Sequence, residues 1–130
     1  MDGLIVRQPF ADLLASGRKT WELRRRPLSL LGRFYILASS KPDPSVSTYN
    51  PARLGVAVAV AEQVGLLGPL SVDDLAPHFK RHRSTIDELR SYSRGADLYV
   101  MKLRVKPLER PRRYRPKPGA VTIIRDLELI

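Results

Sequence analysis

The chain has no cysteine, one asparagine (Asn50), one tryptophan (Trp21), two methionines and two glutamines in 130 residues. Without cysteine there is no disulfide, no thiol nucleophile and no cysteine-type zinc site. No apolar run approaches the ~20 residues that cross a membrane as a helix. The opening MDGLIVRQPF lacks the basic start and long apolar stretch of a secretory leader. There is no Walker sequence and no G-x-S-x-G, so a classical nucleotide or serine hydrolase is not indicated. The expectation from these absences is a cytoplasmic protein with no cofactor and no membrane contact. Negative charge is scarce too: 13 Asp and Glu stand against 23 Lys and Arg, a formal excess of +10. Such an excess favours a polyanionic partner, through phosphate contacts and counterion release. Scarce Asn, Gln, Met and Cys also mark heat-adapted proteins, but those surfaces usually balance the two signs.

What is present suits a single domain, 1–130, with 43% hydrophobic residues, enough for a core without staples. LIVR (4 to 7) reads as a first strand. Pro9 opens a helix, Phe10, Leu13 and Leu14 recur at helical spacing, and Gly17 stops it. TWELRR is a second strand ended by Pro27, and RFYILASS (33 to 40) a third. Residues 41 to 53 hold three prolines and no periodicity, a loop of a length that often goes with function. LGVAVAVAEQVGLL reads as a long strand buried on both faces. SVDDLAPHF and STIDELRSYS open with capping patterns, Thr85 with Glu88 making a capping box, and Gly95 stops the second. DLYVMKLRVKPL (97 to 108) alternates, with Tyr99, Met101, Leu103 and Val105 inward and Lys102, Arg104 and Lys106 outward. ERPRRYRPKPG then reads as irregular and AVTIIRDLEL as a last strand. The expected class is α+β: a small mixed β-barrel of about six strands, with two or three short helices at the rim.

GRKTWELR (17 to 24) is the densest chemistry in the chain. On a strand, Thr20, Glu22 and Arg24 share one face while Trp21 and Leu23 take the other. A carboxylate and a guanidinium two residues apart each offer planar, bidentate contacts. Glu22 can accept from a base amino group, Arg24 can grip a base edge or phosphate, and Lys19 at the strand mouth suits phosphate. The plainer alternative is a surface salt bridge of Glu22 with Arg24 or Lys19, worth only ~0–1 kcal/mol. Ser39 and Ser40, ending the third strand, and Gln8, at the helix entrance, are candidates for the same cleft. Basic residues crowd 102 to 117, with eight Lys or Arg in sixteen residues. There Arg112, Arg113 and Arg115 surround Tyr114, a mixture that suits phosphate contact with base stacking; a solvated charged loop is the alternative. His78 and His82 stand four apart as helical zinc ligands can, but the cations around them disfavour another, and no metal is expected. His82 remains a candidate general base. Asp73, Asp74, Asp87 and Glu88 fall in first turns of helices, where negative charge suits the dipole.

Gly17, Lys19, Glu22 and Arg24 form G-x-K-x-x-E-x-R after a strand and an amphipathic helix, followed by GRFYILAS and KPGAVTIIRDLEL. This arrangement resembles the ASCH domain family, whose fold is similar to the PUA domain of RNA-modification proteins. The resemblance implies a compact barrel with a cleft that binds RNA or a nucleotide, built from Lys19, Glu22 and Arg24. It also implies a range of functions, some members being nucleic-acid binding modules and others hydrolases. One bacterial branch removes the acetyl group of N4-acetylcytidine with a lysine, a threonine and a glutamate. Lys19 matches that lysine, Glu22 stands where the threonine falls, and His82 or a neighbour takes the place of the glutamate. The expected partner is RNA or another single-stranded nucleic acid. An enzyme would use Lys19 and Glu22 as its catalytic pair, and a third possibility is a protein-docking adaptor.

Overall fold

The computed structural model describes residues 1–41, 53–120 and 122–130. The expected proline-rich loop lies, apart from its ends, outside the described residues. Six strands form one sheet: β1 (Gly3–Val6), β2 (Trp21–Arg24), β3 (Arg33–Ala38), β4 (Val56–Leu70), β5 (Leu98–Arg113) and β6 (Ile123–Ile124). Their order is β2-β5-β4-β3-β1-β6. Only β1 and β3 run parallel, which is possible because α1 (Phe10–Ala15) and β2 intervene as a crossover. Between β4 and β5 come α2 (Val72–Leu75), a single 3-10 turn, α3 (Phe79–His82) and α4 (Ile86–Ser93). The protein is therefore α+β, with short helices around a six-stranded sheet. Among the described residues no helix is long and apolar enough to cross a membrane.

Side-chain alternation sorts the core into layers. Leu4, Leu14, Phe34, Ile36, Val58, Met101 and Leu103 form the main cluster, under α1. Leu98 and Val100 point the other way and join Trp21, Leu23, Leu75 and Leu89 beneath α2 and α4. The β2–β5 register sets Glu22 opposite Met101 and Arg24 opposite Tyr99. Directly opposed residues share a face. Glu22 and Arg24 thus stand on the main-core face, while Trp21 and Leu23 anchor β2 beneath the helices. Two of the helices between β4 and β5, α2 and α4, carry capping boxes, Ser71 with Asp74 and Thr85 with Glu88.

Three expectations are corrected by the pairing. First, β2 and β6 are the two edges of the sheet, so backbone hydrogen bonding among the described residues does not close a barrel. A side chain spans the gap instead: Arg24 Nη2 on β2 donates to Ile5 O on β1 at 2.8 Å. Second, residues 109–113 are strand, with Arg112 opposite Ala57 and Arg113 opposite Val56. Pro107 faces Ala59, so residues 108–111 oppose only Val58 in a bulge that leaves Pro111 outside the regular ladder. Third, the last strand shrinks to two residues. Asp126 turns the chain with φ of 50°, held by its N–H on Asp2 Oδ1 at 3.0 Å and by Arg125 on Asp2 Oδ2 at 2.7 Å.

Candidate functional site

Gly17, with φ of 79°, ends α1 in the left-handed conformation that glycine takes without strain. The chain then folds back, Lys19 N–H donating to Leu13 O at 3.0 Å, and this sends the Lys19 side chain inward. Lys19 is 2% exposed and Glu22 6% exposed, so these charges belong to the interior and not to a surface pair. Lys19 Nζ donates to His82 O at 2.7 Å, lies 3.4 Å from Glu22 Oε1 and sits 4.8 Å from the centre of the Phe10 ring. The other carboxylate oxygen, Glu22 Oε2, accepts from Arg24 Nη2 at 2.7 Å. One carboxylate therefore bridges two cations. Burial lowers the Lys19 pKa from its ordinary 10.5, and Glu22 opposes that shift. Among the described residues the Arg24 hydrogen bonds run through Nη2 alone, and its buried Nε–H has no partner.

This triad forms the floor of a cleft of about 940 Å³, at the gap between β2 and β1. Ser39, Ser40, Lys41 and Lys117 line one wall; Arg25 and the α4 residues Glu88 and Tyr92 line the other. Seven Lys or Arg side chains border it against three acids, which makes it electropositive, and its floor, two cations on one carboxylate, shares that sign. Burial raises the Tyr92 phenol above its ordinary pKa of 10.0.

The structure gathers Lys19, Glu22, Arg24, Ser39, Ser40 and Tyr114 around this one cleft. Lys19 lies on the floor and not, as its sequence position suggests, at an open strand mouth. Tyr114 reaches the cleft only from the core: it is 8% exposed, clusters with Leu37 and Ile124, and its hydroxyl faces Ala38 O at 3.5 Å. It is not an exposed ring set among arginines. Gln8 is buried away from the cleft lining, its Nε2 donating to Arg53 O at 3.1 Å and its Oε1 accepting from Asp12 N–H at 3.0 Å. Its role is to brace the turn between β1 and α1. Arg112 and Arg113 are exposed on β5 and Arg115 is exposed beyond it, all outside the cleft lining. Sequence reading missed Tyr92 and Arg25 as a pair. The available signal was helical spacing, since Glu88 and Tyr92 stand four residues apart on α4 and both line the cleft.

His82 is not available as a base. Its Nδ1 accepts from Ser84 N–H at 3.0 Å, which places the proton on Nε2, and that nitrogen donates to Leu75 O at 2.8 Å. Desolvation lowers its pKa below the ordinary 6.5. The unfolded chain therefore takes up the proton first. The contribution of His82 to stability is complete above pH 6.5 and is lost as pH falls from there through the lower folded value. We expect the unfolding midpoint of the wild type to fall on acidification below that point, and a His82→Gln variant to be less stable at neutral pH with a shallower acid slope. Parallel pH profiles for the two proteins would remove His82 as the cause.

The family model of the ASCH domain matches residues 4–109. Solved structures of one bacterial protein share the fold. The ASCH protein of Zymomonas mobilis superposes with a TM-score of 0.64 at 24% identity, covering 85% of this chain and 71% of that one. A serine-to-alanine mutant of the same protein gives 0.65 at 24% identity, covering 86% and 72%. A tyrosine-to-phenylalanine mutant gives 0.64 at 24% identity, covering 86% and 74%. Identity at this level speaks for the fold alone. No curated protein sequence matches the chain.

Proposed function

The chain belongs to the ASCH domain family, and from that premise we propose that it is a cytoplasmic binding module for RNA or another single-stranded nucleic acid. One nucleotide unit sits on the Lys19–Glu22–Arg24 floor while the backbone is held by the surrounding cations. The observation that carries this reading is the buried ion triad at the bottom of an open, electropositive cleft. Burying a linked set of charges is a poor way to stabilise a fold, because desolvation cancels most of the attraction. At the floor of a cleft the same set is a preorganised reader. The free donors of Arg24 are suited to a base carbonyl or a phosphate oxygen, and Glu22 Oε1, only loosely engaged at 3.4 Å, is suited to a base amino group.

The test is a fluorescence-anisotropy titration with short single-stranded RNA, single-stranded DNA and duplex probes at several salt concentrations. Affinity for the single strands is expected to fall as salt rises. Arg112→Ala and Arg113→Ala, outside the cleft lining, are each expected to weaken all probes alike and to reduce the salt slope by about 1. No binding to any probe at low salt would refute the reading.

A hydrolase acting on RNA or a modified nucleoside is the second reading, favoured by the lowered pKa of Lys19, a property of reactive amines. Its base would be Glu22, because His82 is committed elsewhere. Cleavage of the probes on a gel, or turnover of acetylated cytidine that disappears in Lys19→Ala, would establish the enzyme in place of the module.

A further inference from the structure

Arg25 follows the floor residues directly, where β2 ends and the chain leaves the sheet. A surface arginine ordinarily keeps its rotamer freedom. This one is tied down: its Nε donates to Tyr92 O, near the end of α4, at 2.7 Å. The same bond brings its guanidinium over the Tyr92 ring, with Cζ 4.7 Å from the ring centre, well inside the distance at which cation and ring attract. Both residues line the cleft, and Tyr92 is 37% exposed. Leu89 and Ser93 hold the core side of α4, so Tyr92, three residues after Leu89, stands at the border of core and solvent. Among the described residues Arg25 spends only one of its five N–H donors on this arrangement, leaving both Nη amines for an anion.

A flat ring with a guanidinium fixed against it, opening on a cationic cleft, has the chemistry of a base-stacking surface. Bases stack on aromatic rings and on guanidinium planes alike, and every base has a face to offer. We propose that Tyr92 and Arg25 form a stacking platform at the cleft rim. It takes a nucleobase of the single strand next to the nucleotide on the floor, while the Arg25 Nη amines hold the intervening phosphate. The inference rests on the nucleic-acid reading of the cleft and adds a second base subsite to it. Stacking supplies affinity without a sequence preference, so the platform increases residence while Arg24 and Glu22 discriminate.

The experiment compares wild type, Tyr92→Phe, Tyr92→Leu and Arg24→Ala on single-stranded RNA carrying 2-aminopurine at successive positions, and on a matched strand with one abasic site. Thermal unfolding of each variant verifies that it is folded. Leucine keeps an apolar side chain of useful size at the helix end, so loss of the ring is separated from loss of the fold. Expected is fluorescence quenching at one probe position in wild type and in Tyr92→Phe, absent in Tyr92→Leu. Tyr92→Leu is also expected to bind the intact strand about 5- to 150-fold more weakly, and to equal wild type on the strand abasic at that position. Unchanged affinity and quenching in Tyr92→Leu, with Arg24→Ala still impaired, overturns the platform and leaves the floor reading standing. Equal losses on intact and abasic strands likewise overturn stacking. No binding of either RNA by the wild type overturns both.

Discussion

Replacing Glu22 with alanine is expected to destabilise the fold by about 3–5 kcal/mol, the cost of breaking a buried ion set by removing one member. Lys19 Nζ and Arg24 Nη2 both address this carboxylate, from 3.4 and 2.7 Å. Without it two cations face each other across a site that is mostly out of water. Against a total stability of about 5–15 kcal/mol for a domain, the loss is large. Urea unfolding read by Trp21 fluorescence checks it. The triple replacement Lys19→Met, Glu22→Leu and Arg24→Met is expected to behave differently. Buried ion sets exchanged for apolar groups of similar volume often leave stability unchanged or improved, so the triple variant should fold at least as stably as Glu22→Ala while binding RNA more weakly than wild type and without sequence discrimination. A triple variant less stable than Glu22→Ala would mean that the triad serves the fold, and the argument from its cost would lapse.

The second large effect concerns Arg24. Alanine there is expected to weaken binding of single-stranded RNA by about 1–3 kcal/mol, with the loss falling unequally on strands of different sequence. Arg24→Lys keeps the charge opposite Glu22 but not the planar fork, and it is expected to recover stability without recovering discrimination. Affinities for a small panel of homopolymeric RNA strands, alongside unfolding curves, separate the two properties. A uniform loss equal to that of Arg112→Ala would reduce Arg24 to one more phosphate contact.

Much of this arrangement was legible in the sequence, because period-two alternation is a direct consequence of strand geometry. GRKTWELR placed Glu22 and Arg24 on one face and Trp21 and Leu23 on the other, and the register agrees. The Thr85–Glu88 box was equally visible, since its residues act within one turn. Less legible was what covers each face. Lys19 is a cation three residues before Glu22, and nothing local shows that α3 brings His82 O over it. Gln8 looked like a residue of the cleft mouth, yet its partners come from Arg53 and Asp12. ERPRRYRPKPG read as irregular, but the bulge opposite Val58 lets the strand continue past Pro111 to Arg113. Tyr92 carried no local mark beyond its helical spacing from Glu88; the long-range approach of Arg25 is what distinguishes it. Sequence periodicity reports the direction of a side chain, whereas closure, burial and pairing across distant elements are properties of packing.

The most direct test of the central claim is a heteronuclear NMR titration of the wild-type protein with a short single-stranded RNA, following backbone amides and arginine side-chain Nε–H signals together. The account predicts shifts concentrated at Arg24 Nε–H, Ser39, Ser84 and Tyr92, with the far end of β4 around Leu66 and Leu67 unmoved. Shifts confined to the exposed arginines of β5, with Arg24 Nε–H and the α4 amides unchanged, would contradict it.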